Sequence, residues 1–167
     1  MSEPGKELVD VIDVAGNVVG VATRQEVRAG RLPHRCVYVL IFDSRGRLFV
    51  HRRTAAKDVF PLFWDVCIGG VLAAGESYDA GARREAHEEL GVELEIRALF
   101  PFGYADPNTV VNGMVYTAVH DGPFALQPEE IETGEFVPIS ELPERWDRYP
   151  FCPDGLAVWQ EYRRRFR

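Results

Sequence analysis

The sequence predicts an α/β layered domain, and three observations predict it. Apolar runs bounded by turn residues lie on both sides of a single central helical segment. That segment, Ser77 to Leu90, contains no proline, opens on a favoured N-cap and is followed by Gly91, a C-cap residue. A final run, 153–166, carries Leu156, Val158, Trp159, Tyr162 and Phe166 on a helical repeat.

Taken in order, Leu8 to Ile12 and Val18 to Ala22 flank Asp13-Val14-Ala15-Gly16-Asn17 and read as a hairpin. Thr23 and Glu26 have capping-box spacing and open a short helix ending near Gly30. Cys36 to Phe42 and Leu48 to His51 surround the turn at Ser44-Arg45-Gly46, a second hairpin. Beyond the central helix, Glu93 to Phe102, Val110 to Val119 and Glu135 to Pro138 read as strands. Residues 1–167 read as a single domain, with 1–30 an N-terminal hairpin-and-helix extension.

Composition narrows the class. The chain is 46% hydrophobic and 27% charged, which supports a packed core rather than disorder. A net charge of −7 argues against non-specific nucleic-acid binding, which needs a basic surface. No apolar run approaches membrane-helix length, and Met1-Ser2-Glu3-Pro4-Gly5 lacks the features of a signal peptide. Cys36, Cys67 and Cys152 are odd in number and widely spaced. A cytoplasmic, reduced protein, monomeric or homodimeric, is the expectation.

The chemistry concentrates in the central helix. Tyr78, Ala82, Ala86 and Leu90 recur every four residues and form a narrow apolar face. Glu85, Glu88 and Glu89 fall at i, i+3 and i+4, so their carboxylates are expected to converge beside it. A hard divalent cation relieves such repulsion, because Mg²⁺ prefers carboxylate and phosphate oxygens. The plain alternative is a solvated acidic helix surface. Gly69, Gly70 and Gly75 bracket the loop entering the helix, where backbone can approach a ligand closely.

From Gly70 to Val92 the spacing is Gly, five residues, Glu76, seven residues, Arg84-Glu85-Ala86, one residue, Glu88-Glu89, one residue, Gly91-Val92. This resembles the Nudix box, the signature of hydrolases that cleave diphosphate linkages; Ala86 departs from its usual bulky aliphatic. The resemblance implies a mixed sheet sandwiched between helices. It also implies Mg²⁺, with Mn²⁺ as a substitute, held by Glu85, Glu88, Glu89 and the carbonyl near Gly70. Arg84 pairs with Glu76 in the pattern, a contact that would hold the loop against the helix.

Upstream, His34-Arg35 and Arg52-Arg53-Thr54-Ala55-Ala56-Lys57 leading to Pro61 and Trp64 resemble the isomerase-like branch, which includes type I isopentenyl-diphosphate isomerase. Arg53 and Lys57, with Arg52 beside them, match its diphosphate-binding residues. Three departures favour hydrolysis. The isomerase cysteine falls on Gly69, although Cys67 shares that strand face; its Glu-Asn-Glu stretch reads Val111-Asn112-Gly113; and the box glutamates are all retained. His34 matches an isomerase metal ligand whose partners have no counterpart here.

A further ligand or general base is expected after the box, Glu130 first and Glu129 next. The activity expected is hydrolysis of a nucleoside 5′-di- or triphosphate by metal-activated water, with Glu85, Glu89, Arg84 and Glu130 in the catalytic set. The alternatives are isomerase chemistry and a silent nucleotide-binding module. Phe63, Trp64, Phe102 and Tyr104 are the aromatic candidates for stacking a base.

Overall fold

A computed structural model describes residues 3–166. The N-terminal hairpin forms as expected, β1 (Leu8–Ile12) pairing antiparallel with β2 (Val18–Thr23). Thr23 then caps α1 (Arg24–Ala29) in a reciprocal box: its hydroxyl accepts from the Glu26 N–H, and Glu26 accepts from the Thr23 N–H at 2.7 Å.

The main sheet is mixed. Strand β3 (His34–Phe42) runs parallel to β8 (Val110–Val119) and antiparallel to β6 (Ile68–Val71). Beyond β8 lies β7 (Arg97–Ala105), antiparallel to it. Strand β4 (Leu48–Arg53) carries β9 (Ile131–Val137) on one edge and the short β5 (Trp64–Asp65) on the other, and touches β3 only at their turn.

Alternation along β3 builds both layers of the core. Cys36, Tyr38 and Leu40 face one cluster with Val158 and Trp159 of α4 (Pro153–Arg165) and Leu142 of α3 (Leu142–Arg148). Val37, Val39 and Ile41 face the other, against Ala82, Ala86 and Leu90 of α2 (Tyr78–Leu90). The sheet is therefore sandwiched between helices. The four-residue repeat of α2 was a sound guide: three of its members are fully buried, and Tyr78 packs at the margin.

Small residues bring α2 close to the sheet. A Cβ on Gly81 would lie 2.0 Å from the Cδ2 atom of fully buried Leu72, so only glycine fits. At Gly69, φ is +154° and a Cβ would lie 2.0 Å from the Val37 carbonyl oxygen.

Element boundaries differ from expectation in several places. Strand β7 begins at Arg97 rather than Glu93; residues 93–96 make no ladder, and their Leu94 is buried in the core. Strand β9 begins at Ile131, four residues before the expected start. The sequence reading missed β5, β6 and α3. Two residues are too few to show alternation, paired glycines carry no side-chain pattern, and Pro143 hides α3 although proline suits a first turn.

Candidate functional site

The loop before α2 is tied at three points. The Arg84 guanidinium grips both Glu76 oxygens, Nε to Oε1 at 2.7 Å and Nη2 to Oε2 at 2.9 Å. Glu76 also accepts the Ala73 N–H at 3.0 Å. From outside, Asp10 of β1 accepts the Gly75 N–H at 2.9 Å and the Arg35 guanidinium at 2.7 Å. Burial opposes ionisation of Glu76, yet the Arg84 hydrogen bonds hold its carboxyl below the ordinary range. The fork geometry raises Arg84 itself, Glu76 being the main cause.

Helix α2 distributes its three glutamates unequally. Glu89 is 7% exposed and Glu85 half-buried, whereas Glu88 is exposed and touches Arg84 Nη1 at 3.2 Å. Glu88 still acts on Glu85, whose ionisation its charge opposes, and Arg84 bridges the two, so the three carboxylates are neighbours at different depths. Glu85 lies against Gly70, where a Cβ would come within 2.9 Å of its Oε1 atom. Burial pushes Glu85 upward against the pull of Arg84, which bonds it at 2.9 Å. Burial raises Glu89 well above the carboxylate range, and the charges of Glu85 and Glu130 add to the effect.

Main-chain docking delivers Glu130. The N–H groups of Ala125 and Gln127 donate to the Leu90 and Glu89 carbonyls, satisfying orphan acceptors at the end of α2. A turn from Gln127 then places Glu130 against Lys57, with which it forms an ion pair. Thr54 fastens the Lys57 loop to the same segment, its hydroxyl donating to the Glu129 carbonyl at 2.9 Å. Glu129 itself has its backbone in this contact.

Arg53 and Lys57 both line a cleft that also contains Gly70. Arg52 is not among its lining residues; its guanidinium is taken up by Glu132 at 3.0 Å and the Leu62 carbonyl at 3.1 Å. Of the aromatic candidates, Tyr104 lines the cleft. Trp64 packs on Tyr149 and Phe151, Phe102 on Tyr38, and Phe63 on Phe60, which lines the cleft unanticipated. His34 also lines it, its Nδ1 atom 2.9 Å from the Leu32 carbonyl, and burial lowers its pKa. Cys67 faces the cleft, as strand alternation suggested, but burial and the nearby Asp65 raise its thiol well above the usual range.

Sequence reasoning did not foresee the cleft floor. Asp65 and Asp154 meet there beside Cys67, Cys152 and the Tyr38 hydroxyl, which lies 3.3 Å from Asp154. Burial, reinforced by Asp154, pushes Asp65 up to about 7. A carboxyl whose folded pKa exceeds its unfolded one near 4 destabilises the fold when ionised; the penalty grows as pH rises from about 4 to about 7 and is complete above that. The expected result is that Asp65→Asn, which keeps an oxygen for the Cys67 N–H, melts higher than the native chain at pH 8. That gain should disappear towards pH 4, and a gain equal at both pH values would contradict the assignment.

The NUDIX domain model matches residues 32–154. The chain belongs to the Nudix family. A Nudix hydrolase of Streptomyces coelicolor is 44% identical over 160 residues, covering 94% of this chain and 88% of its own length. The YfcD Nudix hydrolase of Escherichia coli is 36% identical, covering 93% and 87%. DR0079 from Deinococcus radiodurans has a similar solved structure, with a TM-score of 0.82, 31% identity, and coverage of 96% of this chain and 100% of that one. This Nudix protein is an enzyme of the pyrophosphohydrolase type. No helix among its described residues is long and apolar enough to cross a membrane.

In the Nudix box of this chain, no three His, Cys, Asp or Glu side chains among the described residues already stand in a metal-holding group. Arg84 bridges Glu85 and Glu88, and Lys57 engages Glu130. The donor chemistry nevertheless suits a hard cation. Glu89 is buried, repelled by two other carboxylates, and accepts no side-chain hydrogen bond among the described residues.

Proposed function

We propose that this Nudix enzyme hydrolyses the phosphoanhydride bond of a nucleoside 5′-di- or triphosphate, using Mg²⁺ or Mn²⁺. The reading rests chiefly on one observation: a buried carboxylate, Glu89, feels the charges of Glu85 and Glu130 and those of the cleft cations Lys57 and Arg53. Glu85, Glu89 and Glu130, with the Gly70 carbonyl, would hold the cation, and Glu88 would join from the helix surface. Bound there, the cation offsets phosphoryl charge and makes water more acidic.

The chain's own residues do the rest. Arg53 and Lys57 fix the phosphates, Arg as a fork and Lys as a compact charge. Glu85 or Glu130 accepts the proton of the attacking water. Arg84 keeps Glu85 and the loop in register through Glu76.

Phosphate and pyrophosphate release should be measured across nucleoside di- and triphosphates, nucleotide sugars, ADP-ribose and isopentenyl diphosphate, with Mg²⁺ and with EDTA. Release from nucleotides that EDTA abolishes is the expected result. Silence on every nucleotide, with allylic diphosphate formed from isopentenyl diphosphate, would replace this reading with the isomerase one.

A further inference from the structure

The N-terminal extension supplies two more cations to the same cleft. Arg24 and Arg28 are one turn apart on α1, and both line it together with Arg53 and Lys57. Both are largely covered, their side chains 25% and 32% exposed. Four of the chain's 19 Lys and Arg residues thus face one cavity in a protein of net charge −7.

Their existing partners lie outside the cleft. The Nε atom of Arg24 is buried without a hydrogen-bond partner among the described residues. Its Nη1 atom lies 3.5 Å from Glu7, a half-exposed acid outside the cleft. Arg28 meets Asp58, which is mostly solvent-exposed and also outside the cleft lining. Neither arginine pairs with the cleft carboxylates Asp65, Asp106 and Asp154. Burial disfavours the charge of Arg28, and Arg24 and Arg53 disfavour it further. Covered like charges with a buried, unused donor are the arrangement that a bound anion relieves.

We infer that Arg24 and Arg28 form, with Arg53 and Lys57, a subsite for the terminal phosphate of a linear triphosphate, so that the cleft selects triphosphate over diphosphate chains. This rests on the hydrolase reading for its turnover but not for its binding. Gly70, which lies against Glu85, lines the same cleft, so the added charge shares one cavity with the edge of the box. A third phosphate in that cleft would give Arg24 and Arg28 an anion that a diphosphate held at Arg53 and Lys57 would not.

The test is calorimetric binding of inorganic tripolyphosphate and pyrophosphate to the full chain in EDTA, where no turnover occurs. The native protein should bind tripolyphosphate at least about tenfold more tightly. The Arg24→Gln/Arg28→Gln double variant should lose that preference while melting within a few degrees of the native chain. Arg28→Lys should restore part of it. Equal affinity of the native protein for the two anions, or a preference that survives in a folded double variant, overturns the inference. A further arm compares ATP with tripolyphosphate. Tighter ATP binding assigns the chain to a nucleotide, and equal binding assigns it to the phosphates alone. Selective binding combined with no hydrolysis of any nucleotide would retain this subsite and reject the hydrolase reading.

Discussion

Glu89→Gln should reduce turnover by two or more orders of magnitude while leaving the melting temperature in EDTA unchanged or higher. The two effects have one cause. The native carboxylate is buried, lies beside Glu85 and Glu130, and is not hydrogen-bonded by another side chain among the described residues. A neutral isostere removes the cost of ionising there, so the fold gains what the site loses. The same substitution removes the ligand best placed to hold a cation against substrate phosphates, where one electrostatic contact is worth about 2.7–4 kcal/mol of barrier. Steady-state kcat with Mg²⁺ and a thermal melt in EDTA test both halves. Near-native turnover would remove Glu89 from the site.

Arg84→Lys comes next in size. Lysine keeps the charge but cannot grip both Glu76 oxygens while also reaching Glu85. Arg84 is about one-third exposed, so solvent screening reduces the loss to about 1–2 kcal/mol, or roughly 3–6 °C in melting temperature. Activity should fall about 10–100-fold, as happens when a residue that orients a ligand is lost. Glu76→Gln should produce a similar deficit, and the double variant should be little worse than either single one. Fully additive losses in kcat would show that Arg84 acts on substrate independently of Glu76.

Helix α2 was legible because cap, apolar repeat and spacing coincide within one continuous segment. The same spacing does not give the depth of its glutamates. Each residue advances about 100° around a helix, so Glu85 and Glu89 share a column one step from the buried face while Glu88 turns away to solvent. The pairing of Glu130 with Lys57 depends on the main-chain docking of Ala125 and Gln127, which leaves no side-chain signature. Asp65 and Asp154 belong to elements far apart in the chain, and nothing local relates them. Arg24 and Arg28 did have a legible one-turn spacing, but a six-residue helix shows it only once its orientation against the cleft is known.

Asp10 reaches from β1 to the Gly75 amide and to Arg35, so the extension before residue 32 bears directly on the loop that leads into the box. The boundary of the shared family region and the boundary of the working unit therefore differ. A fragment cut at residue 32 would leave that amide and that guanidinium without their acceptor. Exchanging this loop between relatives would keep the Asp10 contact only when the hairpin travels with it.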